Sequence, residues 1–111
     1  SSLHYLSSDE IWYFHFGSPV QLHLFSGTEY RNVVLGHSWK KGQAVQYLVE
    51  AETIFGAELM ENRGSLMSCS VCPGFVEDDF KWPCRDELVI KFPLQKEIIE
   101  RLHYRSEKIP E

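Results

Sequence analysis

One segment, Ser8-Asp9-Glu10-Ile11-Trp12-Tyr13-Phe14-His15-Phe16-Gly17, carries more structural information than any other part of this 111-residue chain. It is rich in aromatic residues, which favour β-strands, and side chains two residues apart in a strand share a face. One predicted face carries Glu10, Trp12, Phe14 and Phe16, and the other carries Ile11, Tyr13 and His15. The segment therefore predicts a strand that presents one carboxylate beside an aromatic stripe and ends at a glycine turn.

The composition is that of a single globular domain with a reduced interior. Hydrophobic residues make up 43% of the chain and charged residues 24%, which is ordinary for a folded protein of this length. Three cysteines, at positions 69, 72 and 84, are too few for a disulfide scaffold, so we expect a cytoplasmic protein.

The charge balance argues against two classes of partner. The formal net charge is −5, whereas nucleic acids and anionic membranes are bound mainly through basic side chains. No apolar run approaches the roughly 20 residues that span a bilayer. We therefore expect neither a nucleic-acid-binding protein nor a membrane protein.

Short β-rich runs separated by turn residues recur along most of the chain. The predicted strands cover residues 10–16, 20–25, 30–35, 44–49, 54–59 and 65–71. Their spacing of about 8–12 residues is typical of an all-β sandwich or barrel. We assign residues 1–93 to this barrel.

One helix is predicted, near the C-terminal end. Pro93 suits the first turn of a helix, and Ile98, Ile99 and Leu102 fall on one side of residues 94–104. We expect this helix, followed by a polar tail to residue 111, to pack on the outside of the barrel.

Two spaced patterns resemble the conserved motifs of cupins. Glu10 followed by six residues and Gly17 is similar to the end of the first cupin motif, and His4 occupies its first histidine position, with Leu6 at the second. In the stretch similar to the second motif, Glu50, Glu52 and Phe55 occupy the positions of proline, glycine and histidine.

The resemblance narrows to the cupin 5 family, the domain of unknown function 985. Four blocks match it in order: His4 with 8–17, Leu35-Gly36, the strand opening at Gln46, and Cys69-Ser70-Val71-Cys72-Pro73-Gly74-Phe75 with the acidic residues and Phe80 after it. The resemblance implies a cupin double-stranded β-helix, a jelly-roll barrel, with a C-terminal α-helix. It also implies a homodimer, and it leaves the activity unassigned.

A metal site is the first functional hypothesis. Cupin metals are held by the histidines and glutamate of the two motifs, and this set suits iron, manganese, nickel or zinc. The chain keeps His4 and Glu10 but has Leu6 and Phe55 in the other two positions, whereas even an open zinc site uses three protein ligands. We therefore expect no cofactor; a divalent metal, if bound, would use His4 and Glu10.

An enzyme without a metal is the second hypothesis. The fold is similar to that of sugar-nucleotide epimerases, which pair a histidine base with a tyrosine acid. Candidates for these functions are His4, Glu10 and Tyr47, since a carboxyl group in an aromatic pocket has a raised pKa. Together with the metal hypothesis, this makes a cupin enzyme the alternative function, either a sugar-nucleotide epimerase or isomerase or a metal-dependent oxygenase.

A binding module is the hypothesis that we favour. A small-molecule pocket combines aromatic walls with a few orienting polar groups. The predicted ligand-binding residues are His4, Glu10, Trp12, Phe14, Gln46, Phe55 and Phe75, and we expect a small organic ligand, carbohydrate- or nucleotide-like.

Each of these residues also has a purely structural interpretation. Glu10 can cap a turn, the aromatic stripe can fill a closed core, and Cys69 is expected to be a buried core thiol. His15, His23, His37 and His103 are expected to be surface or packing residues.

Overall fold

The computed structural model describes residues 1–74 and 79–104. Its strands and helices are β1 (Asp9–Gly17), β2 (Val20–Ser26), β3 (Glu29–Leu35), β4 (Gln46–Val49), β5 (Ile54–Leu59), β6 (Ser65–Cys72), α1 (Arg85–Lys91) and α2 (Lys96–Leu102). The six predicted strands are present, with β4 two residues shorter than expected. The chain is mostly β with helices towards its C-terminal end.

The strands form two antiparallel sheets of three strands each. The first has the order β4-β1-β6 and the second β3-β2-β5, so β1 and β2 are the central strands. Closure of these sheets into the jelly-roll barrel that the resemblance implies stays a prediction.

The two sheets share a hydrophobic core. Phe14 and Val49 from the first sheet pack with Leu22, Leu24 and Phe55 from the second, and each of these side chains is at most 6% exposed. Because side chains alternate along a strand, Phe14 of β1 and Leu22 and Leu24 of β2 point towards this core. We call the two sheet faces that meet at this core the inner faces.

The aromatic stripe of β1 is shorter than the sequence predicts. The register between β1 and β6 shifts between Phe14 and Phe16, because an extra residue in one strand breaks the period of two. Phe16 is consequently 63% exposed, and the prediction that it lines the same face as Glu10 is wrong.

Two helices, rather than one, cover the outer face of the second sheet. The predicted helix at 94–104 is found as a 3-10 turn, Pro93–Gln95, followed by α2, and α1 was not predicted. Leu88 of α1 and Ile99 of α2 pack with Phe25 of β2 in a second core. α2 therefore packs against the outer face of this sheet, and the predicted tail to residue 111 lies outside the described residues. Within the described residues, neither helix has the length and hydrophobicity needed to cross a membrane.

A polar network lies at the same outer face. His23 is 3% exposed and its Nε2 lies 2.6 Å from Glu58 Oε2, while its Nδ1 lies 2.7 Å from the Tyr30 hydroxyl. An ionised Glu58 can only accept, so Nε2 donates to it, and Nδ1 pairs with the Tyr30 hydroxyl. Arg101 of α2 donates to the same carboxylate at 3.0 and 3.2 Å. His23 is thus a packing residue that ties the sheet to α2.

Gly17 ends β1 under two constraints that only glycine meets. Its φ is +107°, and a Cβ at this position would overlap the carbonyl oxygen of Gly64 and approach Ser65 Cα to 2.7 Å. We expect Gly17→Ala to lower the free energy of unfolding by about 3 kcal/mol or more, because backbone strain and a backbone clash add. Urea denaturation followed by circular dichroism measures this loss.

Gly27→Ala is the matched control for this substitution. Gly27 also has a positive φ, +57°, but nothing lies within 4 Å of the added Cβ. Strain alone predicts a loss of about 1 kcal/mol. Equal losses in the two variants would contradict the close approach of Gly17 to the turn before β6.

Candidate functional site

The Glu10 carboxyl group is buried on the inner face of the first sheet. Glu10 lies opposite Val49 of β4 and Val71 of β6, and the residue is only 9% exposed. Its Oε1 is fully buried and has no hydrogen-bond partner. Burial raises the pKa of Glu10, and the nearby Cys69 thiol and Trp12 indole oppose this rise only in part.

Cys69 is the thiol that faces this carboxylate. It lies opposite Trp12 in the β1–β6 register. Burial, together with the charge and hydrogen bond of Glu10, raises the pKa of Cys69 to about 12. The thiol is therefore protonated and unreactive at neutral pH. The expectation of a buried core residue is wrong, because Cys69 as a whole is exposed while its thiol remains beside Glu10.

A line of aromatic rings leads from Trp12 to the other side of the core. The Trp12 and Phe55 rings meet edge to face at a centroid distance of 5.8 Å. Phe55 lies 4.4 Å from the His4 ring, which stacks on Phe80 at 4.5 Å. The structure thus brings Trp12, Phe55 and His4 together, and Phe80 joins them.

His4 has the environment of a structural histidine. Its backbone exchanges two hydrogen bonds with Phe55, at 3.0 and 2.9 Å, and its Nδ1 donates to the Ser2 carbonyl at 2.8 Å. Burial lowers the pKa of His4, and the bond to Ser2 opposes this only in part. The ring is consequently neutral at neutral pH, with one nitrogen already committed.

Tyr47 and Phe14 share the inner face with Glu10. Tyr47 lies opposite Trp12 in the β1–β4 register, is partly buried and packs against the shared core. Phe14 is 6% exposed and belongs to the core itself.

Gln46 is placed differently from the sequence expectation. It pairs with Tyr13, not with an inner-face residue, and paired residues point to the same side of a sheet. Gln46 is therefore exposed on the outer face, away from Glu10. Phe75 lies outside the described residues.

A cleft of about 230 Å³ opens between the two inner faces. Its walls are Trp12, Ser65 and Met67 from the first sheet and Val20, Ala57 and Leu59 from the second, with Ser1 and Glu58 completing the lining. The Trp12 Nε1 and Ser65 Oγ atoms are buried without a hydrogen-bond partner. We call this cavity, together with the neighbouring Glu10 carboxylate, the inter-sheet cleft.

The β6 side of the cleft was missed from the sequence. Alternation predicts that Ser65, Met67 and Cys69 share one face, but the pairing of β6 with β1 cannot be deduced from alternation. The register of β6 with β1 places Cys69 opposite Trp12 and Met67 opposite Phe14.

A larger cavity, of about 590 Å³, lies outside the sheets, and Trp82, Arg85 and Tyr104 are among its lining residues. The two rings stack on each other at 4.4 Å, and the Arg85 guanidinium beside them is engaged by Asp86 and Glu100. Because its charged groups already have partners, we place the candidate site in the inter-sheet cleft.

The donor atoms do not fit a cupin-type metal. Leu6 and Phe55 replace two of the four ligands, and His4 has its Nδ1 on Ser2 and its ring between two phenyl groups. Glu50 and Glu52 are exposed in a turn. Across residues 1–74 and 79–104, no three His, Cys, Asp or Glu side chains are grouped to hold a metal ion.

Comparisons with solved structures support the same fold. An X-ray crystal structure of a protein from Shewanella oneidensis, a structural genomics target, superposes with a TM-score of 0.86 at 34% identity and covers 93% of this chain. A hypothetical protein from Leishmania major gives a TM-score of 0.82 at 32% identity, again over 93% of this chain. This chain spans 66% and 68% of those two chains, respectively.

Sequence comparison assigns the family without assigning an activity. No curated protein matches the chain. The family model described as Cupin superfamily (DUF985) matches residues 1–82, the part that holds both sheets and Glu10, and the resemblance deduced from the sequence is confirmed. The chain belongs to the Cupin_5 family of the cupin superfamily, a domain of unknown function.

Proposed function

We propose that the chain binds a small, uncharged, hydroxyl-bearing organic ligand in the inter-sheet cleft. The observation that carries the proposal is a set of three buried side-chain atoms that have no partner at good hydrogen-bond geometry: Glu10 Oε1, Trp12 Nε1 and Ser65 Oγ. All three belong to residues of the inner face of one sheet. Leaving such an atom unsatisfied costs about 1–3 kcal/mol, and a bound ligand with matching groups would remove that cost.

The volume of the cleft limits the size of the ligand. The cleft has a volume of about 230 Å³. Drug-sized ligands occupy cavities of roughly 300–1,000 Å³. These sizes favour a monosaccharide or a similar polyol over a nucleotide.

The charge of the cleft limits the ligand further. Its lining side chains include no Lys, Arg or His, and the ionisable one, Glu58, is already engaged by His23 and Arg101. The Ser1 ammonium, which also lines the cleft, donates to the carbonyl of Ala57 at 2.7 Å. Phosphates and carboxylates are normally held by such cations. An uncharged ligand that accepts from Trp12 Nε1–H and exchanges hydrogen bonds with Glu10 and Ser65 suits this lining.

Acid–base catalysis is a second candidate, favoured by the raised pKa of Glu10. A carboxyl group that titrates closer to neutrality can transfer protons to a bound substrate. Tyr47, on the same inner face, is its most suitable partner among the predicted catalytic residues, because His4 is held between two aromatic rings. In this case the ligand would be converted rather than only bound.

Removal of the Glu10 charge is expected to stabilise the protein. Because the pKa of Glu10 is raised on folding, its ionisation favours the unfolded state. The free-energy penalty for ionising Glu10 in the folded protein is absent below the ordinary pKa of 4.5. It grows as the pH rises from that value to the raised pKa of Glu10 in the folded protein. Glu10→Gln should therefore raise the free energy of unfolding by about 1 kcal/mol at pH values above this window, and by less at about pH 4.

Urea denaturation at the two pH values measures this difference. Glu29→Gln is the control, since Glu29 is well exposed on β3, and it should change stability little at either pH. A Glu10→Gln variant that is less stable than the parent at both pH values would indicate a structural rather than a functional carboxylate.

Ligand binding can be followed at the Trp12 indole itself. The chain has three tryptophans, so three indole N–H signals are expected in a ¹H–¹⁵N spectrum, and Trp12→Phe identifies the one from the cleft. Titration with glucose, ribose and myo-inositol should move this signal at millimolar concentrations, whereas glucose 6-phosphate should not. The shift should be lost in Glu10→Gln and kept in Glu29→Gln.

The same samples separate the two candidate functions. New sugar signals that appear with time in the one-dimensional spectrum would identify turnover, and their absence alongside a saturable shift would identify a binding module. An indole signal of Trp12 that stays fixed with all three neutral compounds, or that moves equally with the phosphate ester, would contradict the proposed ligand class.

A further inference from the structure

A groove of about 240 Å³ lies on the outer side of the second sheet, between that sheet and α1. Its floor is the edge of the second core, since Ile54 of β5 and Leu88 of α1 both belong to that core. The buried Pro83 and the partly buried Tyr5 complete the floor. We call this cavity the outer groove; its described lining shares no residue with that of the inter-sheet cleft.

Three charged side chains lie at the rim of the outer groove. Glu52 belongs to the turn between β4 and β5, and Glu87 and Lys91 belong to α1. All three residues are exposed, whereas the floor below them is apolar. Apolar walls with a few polar groups at fixed positions are the usual form of a small-molecule site.

The rim charges are not neutralised by the described part of the chain. Glu87 and Lys91 are four residues apart, the helical spacing at which Glu and Lys commonly pair. The ion pairs among the described residues nevertheless include neither of them, nor Glu52. By contrast, α2 uses the same spacing for a Lys96–Glu100 pair at 3.9 Å. The charges of the rim are therefore available to a ligand.

Glu52 holds a backbone conformation that favours glycine. Its φ is +68°, in the left-handed region that is costly for a residue with a Cβ. Among the described residues, its carboxylate makes no hydrogen bond or ion pair that would offset this cost. A strained residue whose side chain has no structural partner indicates a function beyond folding.

The rim presents charges of both signs close together. Glu87 and Lys91 are separated by about 6 Å along the axis of α1, at 1.5 Å per residue, and Glu52 lines the same groove from the neighbouring turn. An α-amino acid carries its ammonium and carboxylate groups on one carbon. The two groups can therefore contact neighbouring rim charges of opposite sign while the side chain covers the apolar floor.

We propose that the outer groove is a second binding site, which takes the zwitterion of a free aliphatic α-amino acid such as leucine. Glu52 and Glu87 accept from its ammonium group, Lys91 donates to its carboxylate, and Ile54 and Leu88 contact its side chain. The zwitterion has no net charge, so the chain's net charge of −5 does not repel it as it would repel an anion.

The size and exposure of the outer groove set the expected affinity. Its volume of about 240 Å³ is below the roughly 300–1,000 Å³ of cavities for drug-sized ligands, which suits a single amino acid. Exposed ion pairs contribute little because water screens them. We therefore expect a dissociation constant of about 1 mM.

Titration of the ¹⁵N-labelled full chain with leucine, followed in ¹H–¹⁵N spectra, tests the site. Leucine up to about 20 mM should shift the backbone amides of Leu88 and Lys91 in a saturable way and leave the Trp12 indole signal in place. Leucine amide lacks the carboxylate, 4-methylpentanoate lacks the ammonium group, and glycine lacks the side chain. Each of these compounds should bind at least about threefold more weakly than leucine.

Two variants test the rim charges of α1. Glu87→Gln and Lys91→Gln should each weaken leucine binding about three- to fivefold, the range expected for one exposed ion pair. Glu97→Gln is the matched control, because Glu97 lies in the first turn of α2 as Glu87 does in that of α1, and it is not among the lining residues. This variant should bind leucine like the parent.

Glu52→Gly separates binding from folding, because the two effects have opposite directions. Glycine relieves the strain at a φ of +68°, so the midpoint of thermal unfolding should rise by about 3 °C. Leucine binding should weaken about threefold or more. Glu50→Gly, at an exposed position of the same turn that does not line the groove, should leave leucine binding unchanged.

Five results would overturn the proposal. They are the absence of a saturable shift with leucine, a shift of Trp12 in place of Leu88 and Lys91, equal binding of glycine or leucine amide, equal losses in Glu87→Gln and Glu97→Gln, and a Glu52→Gly variant that binds leucine like the parent.

Discussion

The pairing of β1 with its two neighbours is the constraint on which the rest of the structure depends. β1 is the central strand of its sheet, and its register with β4 and β6 turns Glu10 and Trp12 inwards and Ile11 and Tyr13 outwards. A shift of one residue would exchange the two sets. The core, the inter-sheet cleft and the outer face of this sheet are therefore consequences of one register.

That register places the Glu10 carboxyl group on the inner face, a position where good packing would favour a hydrophobic side chain. Glu10 lies between two valines in the register, with one oxygen that has no partner in the protein. A hydrophobic residue would cost less at such a position. The penalty is understandable if the carboxyl group acts on something that enters the cleft, since functional groups are commonly held in environments that destabilise the free protein.

The sequence predicts this arrangement well where local periodicity determines it. The inner face of β1 through Phe14 follows from alternation, and the apolar side of α2 follows from the spacing of Ile98, Ile99 and Leu102. Phe16 and Gln46 were misplaced for different reasons. Phe16 was misplaced because a bulge changes the period of alternation within β1. Gln46 was misplaced because β4 is short, and the face on which its side chains lie is set by its pairing with β1, which the local sequence pattern does not specify. The His23–Glu58–Arg101 network was also missed, because it joins three elements that are distant in sequence.

A direct test is the pKa of Glu10 itself, obtained from the pH titration of its side-chain ¹³Cδ signal, with Glu29 as an internal reference. If desolvation of Glu10 outweighs the opposing influence of the nearby thiol and indole, the midpoint of its titration lies above the ordinary value of 4.5. A midpoint at or below 4.5 would mean that the carboxylate is well solvated or fully hydrogen-bonded, and would contradict the inter-sheet cleft as a site that awaits a ligand.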